Sequence, residues 1–467
     1  MSATAVSPAV APHAATLERR LGPYDAAAII VSNVIGSGIF FVPIIVAGLV
    51  PNAATMLGVW VVGGLLAFAG AMAYAELATL RPRAGGEYVY LREAYGPVAA
   101  FLTGWTSFIA GFSGAIAAGA VALSDYLGRF IPIAADKTPL VTIPIPFAPM
   151  HVTPNAIIAI AAIVALSLVH FHGSGRLVHN LLAGLKVSVL CVFIALGLAL
   201  GTGSFGNLAG SHQVAQPLTG WMPALIPVMF TFSGWNAAAY VAEEIRNPGR
   251  NVPLALGLGT LAVVAIYLAL NLLYVYAMPI QELAQLDGRL TDIVAERLFG
   301  FVAGNLLAIF TIISISASIS AMVIAGPRVY YAMARDGVFF AAASRVHARH
   351  KTPVIAIVAQ AIWSSILVLA GTLSELVNYT GFAVVLFSGV AVAAVFVLRR
   401  REPHTERPFK TLGYPLAPAV FVVASLVMVV YQLIWGFAAQ DARIGLVVIL
   451  AGLPLYYLIS FFSRRER

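Results

Sequence analysis

Charge is what this sequence has least of. Only 10% of its 467 residues are Asp, Glu, Lys or Arg, against roughly 25% in a soluble globular domain. With 60% hydrophobic residues beside so few charges, a water-soluble fold is excluded and an integral membrane protein is indicated. Cysteine is nearly absent too: Cys191 stands alone, so no intramolecular disulfide can form. Lysine occurs four times, as Lys137, Lys186, Lys351 and Lys410. There is no Gly-x-x-x-x-Gly-Lys-Ser/Thr loop, which excludes a P-loop ATPase. Neither a Ser/His/Asp set nor an HExxH motif lies within the apolar segments, so an enzyme would have little to work with. No polar connection is long enough to house a soluble domain.

What remains is apolar sequence in twelve stretches, each near the roughly 20 residues that a membrane-crossing helix needs. They fall at about 24–50, 54–80, 96–128, 154–172, 177–202, 218–242, 253–278, 298–333, 353–371, 374–398, 412–436 and 444–463. Of the 27 Lys and Arg residues, 21 fall on the side of the N-terminus when the chain is threaded through these spans. Five fall on the other side, and Lys186 falls on neither. That bias places both termini in the cytoplasm, with the chain in the plasma or inner cell membrane. The surplus of cations reports topology and anionic lipid rather than nucleic acid. Residues 1–22 are rich in Ala, Pro and Ser without an apolar core. They read as a disordered cytoplasmic tail, not a signal peptide, and residues 23–467 as one transmembrane domain.

Two spans are interrupted at matching places. Ala26 to Val50 carries no ionisable residue, yet its middle reads Gly36-Ser37-Gly38-Ile39-Phe40. Leu218 to Ala242 is equally uncharged, and its middle reads Phe232-Ser233-Gly234-Trp235-Asn236. A helix-interior glycine costs on the order of 1 kcal/mol relative to alanine, so unwinding is cheap at such places. Unwound backbone cannot face lipid; it is tolerated where it is buried in protein or lines a cavity. Broken helices at corresponding positions of two halves point to a transporter site near the bilayer midplane. Spans 1–5 and 6–10 then form two units, about 23–203 and 217–400, each opening on a broken helix. An odd number of helices per unit makes them inverted repeats, with two helices, about 411–464, appended.

A helix that breaks offers free N–H groups where it restarts and free carbonyls where it stops. Around Val34, Ile35, Gly36, Ser37 and Gly38 those two sets suit a ligand carrying both a carboxylate and an ammonium group. An α-amino acid is such a ligand. The same glycines would also allow close helix packing, and it is the second break at Ser233-Gly234 that favours a site. Lys186 lies ten residues beyond Arg176, hence roughly 15 Å into a core about 30 Å thick. A cation at that depth faces the bundle interior or a cavity and marks function. It would act as a proton carrier or as a fixed charge in a metal ion's place.

Other polar residues leave alternatives open. Ser314, Ser316, Ser318 and Ser320 of span 8 would bond Lys186 or the ligand, or serve as interhelical glue. Phe230, Phe232 and Trp235 around the second break would cap a ligand or simply pack. Glu243, Glu244, Arg246 and Arg250 after span 6 form either a gate or a solvated loop. His170, His172 and His179 cluster without the carboxylate or cysteine a metal would want, so no metal and no cofactor is expected. The connection 279–297 has helical spacing suited to a lid.

With these residues in view, the chain resembles the amino acid–polyamine–organocation permeases, and among them bacterial relatives of the L-type amino-acid transporters. The resemblance rests on Ile35-Gly-Ser-Gly-Ile-Phe40, on Pro82-Arg-Ala-Gly-Gly-Glu-Tyr-Val-Tyr-Leu-Arg-Glu-Ala-Tyr-Gly96 and on Phe230-Thr-Phe-Ser-Gly-Trp-Asn236 running into Glu243-Glu-Ile-Arg-Asn-Pro248. It extends to Arg328–Gly337 and Arg399–Pro408. It implies an all-α polytopic fold of twelve transmembrane helices: a LeuT-like five-plus-five inverted repeat with helices 1 and 6 discontinuous, plus two C-terminal helices.

By the same resemblance, N–H groups near Ser37 and Gly38 would bind a substrate carboxylate. Carbonyls of Val34, Phe230, Thr231 and Ser233 would take its ammonium group, with Phe230 as an aromatic gate and Asn236 nearby. Lys186 would stand where relatives bind sodium, touching the first break and Ser318. The resemblance implies a sodium-independent amino-acid permease, for neutral substrates, working by alternating access as exchanger or proton-coupled carrier. Animal members link to a glycoprotein through a cysteine after span 3; residues 129–153 hold none, so no disulfide-linked subunit is expected. Ala383 and Val385 would widen the side-chain pocket. Cationic substrates or polyamines are the alternative that Glu76 and Asp125 keep open, and an ion channel filtered by broken-helix carbonyls is a further rival. The oligomeric state is left open.

Overall fold

The structure, a computed structural model, describes Arg19 and residues 21–83, 85–145, 149–170, 176–209, 217–345, 352–435 and 439–465. The chain opens with α1 (Pro23–Val34), α2 (Val42–Leu49), α3 (Ala53–Leu80), α4 (Glu87–Tyr95), α5 (Pro97–Thr106) and α6 (Phe112–Leu127). After β1 (Val141–Ile143) and β2 (Met150–Val152) come α7 (Pro154–Val169), α8 (Arg176–Leu200), α9 (Pro217–Phe232), α10 (Ala237–Tyr240) and α11 (Pro248–Ala277). Then follow α12 (Ile280–Leu283), α13 (Thr291–Phe299), α14 (Phe301–Arg335), α15 (Val354–Ala370) and α16 (Leu373–Arg401). The chain closes with α17 (Leu416–Ile434), α18 (Ala439–Leu450) and α19 (Gly452–Arg465).

This is a polytopic helical membrane protein. Among the described residues, seven helices are long and apolar enough to cross a membrane, and four shorter apolar ones accompany them. Two details differ from the sequence expectation. The polar connection after α6 holds an antiparallel strand pair, Val141 opposite Val152, so the fold is not purely α; strands of three residues are too short to register as spans. Leu21, inside the expected tail, is held by backbone bonds: its N–H donates to the Glu244 carbonyl at 2.9 Å and its own carbonyl accepts from Arg246 N at 2.9 Å. Most of the expected tail, residues 1–18 and 20, lies outside the described residues, as do His172 and the side chain of His179.

Both interrupted spans are interrupted in three dimensions. Helix stops at Val34 and resumes at Val42; it stops again at Phe232 and resumes for one turn at Ala237. α1 packs on α8, α11 and α14, whereas α9 packs on α3 and α16. Packed helices therefore surround the unwound backbone, the condition for its survival in lipid. The connection 279–297 does form helices, α12 and α13. A third irregularity went unread in the sequence: Ser107–Gly111 is a π-helical turn between α5 and α6. Side chains meet the carbonyls it turns outward, with Tyr330 on Ser107 O, Trp363 and Tyr379 on Ile109 O, and Thr380 on Ala110 O.

On the face of the molecule that carries Leu21, ion pairs tie the helix ends. Glu76 receives Arg399 at 2.6 Å and Arg407 at 3.1 Å, and both N–H and hydroxyl of Thr411. Arg81 bridges Glu93 and Glu402. On the opposite face Arg129 binds Asp292 at 2.9 Å, Glu296 at 2.7 Å and Asn305 at 2.6 Å. The Glu76 side chain is only 2% exposed, so Glu76→Ala would strand two guanidinium groups. Removing one partner of a buried pair costs about 3–5 kcal/mol. The expected outcome is a clear fall in unfolding temperature of the detergent-solubilised protein, with Arg83→Ala, on the same face, as an unaffected control.

Candidate functional site at the two helix breaks

At the first break the backbone turns sharply. Ile35 adopts φ −71° and ψ 69°, and Gly36 N–H closes a tight turn on the Val34 carbonyl at 2.6 Å, the inverse γ geometry. A single 3-10 turn over Gly38–Phe40 follows. Its first N–H groups have no intrahelical acceptor, and the carbonyls at the end of α1 have no intrahelical donor.

Those carbonyls receive Lys186. Its ammonium nitrogen, from the middle of α8, lies 3.2 Å from Ser32 O, 3.0 Å from Ile35 O and 2.7 Å from Ser318 Oγ. The Ser318 hydroxyl in turn contacts the same two carbonyls, at 3.2 and 3.0 Å. Lys186 is 2% exposed, and among the described residues no carboxylate pairs with it. A charge taken out of water needs such a shell of oxygen dipoles. Oxygen atoms are also the ligand type that a hard metal ion takes, though in larger number.

The two breaks are joined. The Tyr267 hydroxyl of α11 bonds Val34 O at 2.6 Å and lies 3.3 Å from Thr231 O, bridging carbonyls of the first and second breaks. Gly38 lies so close to Thr231 that a Cβ there would come within 2.9 Å of its hydroxyl. Gly234 sits at φ +97°, where a Cβ would come within 2.8 Å of the Asn33 amide. Both glycines are thus demanded by contact, the second by backbone conformation as well.

A cavity of about 80 Å³ opens beside this junction. Asn33, Ser233, Gly234 and Asn236 contribute from the breaks, Thr106, Ser107 and Gly111 from the π turn, and Ala383 and Ser388 from α16. Glu87 and Tyr240 also line it, on the face that carries Leu21. Of the residues singled out in the sequence, Ser233 and Asn236 line the cavity. Val34, Thr231 and Gly38 form the junction above it, with Val34 and Thr231 capped by Tyr267. Ile35 serves Lys186, Gly36 comes near Ser318, and Ser37 Oγ faces Gly119 of α6. The Phe230 side chain is buried, and its carbonyl accepts from Ser233 N at 2.9 Å.

Some expectations are redistributed. Asn236 donates to Glu87 at 2.7 Å and lies 3.3 Å from the Tyr240 hydroxyl. Ser316 bonds back to Ile312 of its own helix. Ala383 lines the cavity, but Val385 is not among its walls. Asn33, Glu87 and Tyr267 were missed in sequence. A polar tyrosine in mid-span was the available signal for Tyr267; nothing local distinguished Asn33. No group of three His, Cys, Asp or Glu side chains that could hold a metal ion occurs among the described residues. What the arrangement offers is opposed backbone dipoles, a fixed cation and a small polar cavity, which is equipment for holding a zwitterion. Tyr267→Phe leaves two buried carbonyls without their bridge, at about 1–3 kcal/mol. A lower unfolding temperature of the ligand-free, detergent-solubilised protein is the expected outcome in a thermal shift measurement.

Comparison with known proteins bears on what such a site belongs to. The family model described as amino acid permease matches residues 21–459. The chain is 30% identical to the human b(0,+)-type amino acid transporter 1 over 454 residues, covering 97% of this chain and 90% of that protein. It is 27% identical over 472 residues to the mouse large neutral amino acids transporter small subunit 2, covering 97% and 83%. It is 28% identical over 453 residues to the serine/threonine exchanger SteT of Bacillus subtilis, covering 94% and 97%. These are transporters, not enzymes. With its two broken helices meeting in mid-bundle and the match running almost end to end, the chain belongs to the amino acid permease family of the amino acid–polyamine–organocation superfamily.

Proposed function

We propose that the protein is a sodium-independent permease that carries neutral L-amino acids across the cell membrane by alternating access. The observation that carries this reading is the Lys186 ammonium held by Ser32 O, Ile35 O and Ser318 Oγ at the first break. A cation already fixed among those oxygens leaves no vacancy for a sodium ion there. The substrate carboxylate would meet the N–H groups near Ser37 and Gly38. Its ammonium group would meet carbonyls among Val34, Phe230, Thr231 and Ser233, displacing the Tyr267 hydroxyl where they are capped. Twelve spans in a five-plus-five inverted repeat with two added helices, and cytoplasmic termini by the positive-inside bias, complete the reading.

Neutral substrates are favoured by where the acidic side chains go. Glu76 is saturated by Arg399, Arg407 and Thr411. Asp125 accepts from Asn155 at 2.9 Å and faces Lys137 at 3.5 Å. Neither lines the cavity; Glu87, a carboxylate that does, is already engaged by the Tyr74 hydroxyl and the Asn236 amide. Exchange is favoured over proton symport by the relative named an exchanger. No disulfide-linked subunit is invoked, since the one cysteine, Cys191, sits on the exposed side of α8, within the fifth apolar span and not in the connection after the third.

Uptake into proteoliposomes across an amino-acid panel tests the reading, with and without internal amino acid, sodium and a pH gradient. The expected result is saturable uptake of neutral amino acids without sodium, accelerated severalfold by internal substrate. A requirement for sodium would sink the role given to Lys186, and non-saturating conductance would point to a channel. Lys186→Ala should slow uptake at least tenfold, about 1.4 kcal/mol, because two carbonyls are left to share the single Ser318 hydroxyl proton. Unchanged uptake and pH dependence would remove Lys186 from the mechanism.

A further inference from the structure

Two carboxylates are buried on the face that carries Leu21, and they are treated in opposite ways. Glu76 has two guanidinium partners. Glu87, 7% exposed, has none among the described residues. Its Oε1 accepts from the Tyr74 hydroxyl at 2.5 Å and from the Asn236 amide at 2.7 Å, and the residue lines the cavity. An ionised carboxylate without a counter-charge is costly in such a place.

The surrounding groups are all neutral. α3 presents Tyr74, α10 presents Tyr240 and α16 presents Ser388, while α1 supplies Asn33 on the same cavity. On α4 itself, Tyr90 is the near ionisable group, and burial pushes the Tyr90 phenol above its ordinary range. The charges of α4 are used elsewhere: Arg92 pairs with Asp336 and Glu93 with Arg81. Burial raises the Glu87 carboxyl above its usual range, partly offset by the Tyr74 and Asn236 bonds. Its place in the first turn of α4 favours the ionised form, so both forms are within reach.

Glu87 also holds the end of the second break. Asn236 is the last residue of the second break, and Glu87 is the contact that ties it to α4 across the cavity. We propose that Glu87 is a proton-binding positioning residue: ionised, it clamps Asn236 through a charge-assisted hydrogen bond, and protonated, it loosens that clamp and frees the second break. The proton comes from and returns to water in the cavity, and no covalent bond changes. This rests on the reading of the chain as a permease whose substrate sits at the breaks. It adds a pH-sensitive link that is separate from Lys186.

Uptake and counterflow in proteoliposomes, measured from acid to alkaline pH on the cavity-facing side, test it with wild type, Glu87→Gln and Glu87→Asp. Wild-type counterflow should be faster at acid pH than at alkaline pH, because the loosened clamp lets the break move. Glu87→Gln, a fixed neutral isostere, should flatten that dependence at least threefold. Glu87→Asp should restore a pH-dependent rate with a displaced midpoint. Infrared difference spectra of the purified protein should show a protonated-carboxyl band that titrates in wild type and is missing in Glu87→Gln. If Glu87→Gln keeps the wild-type pH profile, or loses only amino acids with cationic side chains, the proposal is overturned. Should Glu87→Gln not fold, an unmoved midpoint in Glu87→Asp overturns it equally. Absence of any amino-acid uptake in wild type would instead overturn the permease reading, and the infrared titration still decides the state of Glu87.

Discussion

Everything at the centre of this molecule depends on one requirement: backbone carbonyls freed inside a membrane bundle must find donors. The first helix stops at Val34 and leaves Ser32, Val34 and Ile35 with carbonyls that nothing in their own helix can meet. Lys186 and Ser318 meet two of them and Tyr267 meets the third. The donors come from α8, α14 and α11, so a local defect in one helix fixes the mutual placement of three others. Hydrocarbon offers no substitute partner, which makes the solution specific rather than merely stabilising.

The same logic recurs at the other irregularities. The second break meets the first through Gly234 against Asn33 and through the shared tyrosine. The π turn in the third span turns carbonyls toward Tyr330, Trp363, Tyr379 and Thr380. Each departure from regular helix is therefore answered by side chains from neighbouring helices, and the cavity lies where three such departures come together. Small side chains such as Gly111, Gly234 and Ala383 leave it open, and Asn33, Ser233 and Ser388 give it polar walls.

Acidic residues show how the rest of the bundle is kept apart from that centre. Glu76 is locked by arginines into a tie between α3 and the segment after α16. Glu87 stands on the cavity with neutral partners only. One carboxylate is structural because its charge is cancelled on the spot. The other remains able to change charge, and it does so in contact with the second break.

Composition, a bundle of apolar helices and the two breaks were legible in the sequence, because lipid imposes its demands locally: enough consecutive apolar residues, and glycine where helix must give way. Lys186 was legible for the same reason, since depth along one helix can be counted. What surrounds each of these was not. Asn33 acquires meaning from Gly234 of the other break and Tyr267 from Val34, 233 positions away, and the π turn depends on donors from three other helices. Glu87 sat in a quoted motif, yet its burial, its lack of a cation and its hold on Asn236 come from the folding of α4 back over the cavity. The sequence by itself determined a membrane bundle with two weak points and one deep cation, because those are properties of single segments. Only the tertiary structure decided which groups answer the freed carbonyls and which carboxylate stays unpaired, because hydrogen bonding and burial are relations between segments.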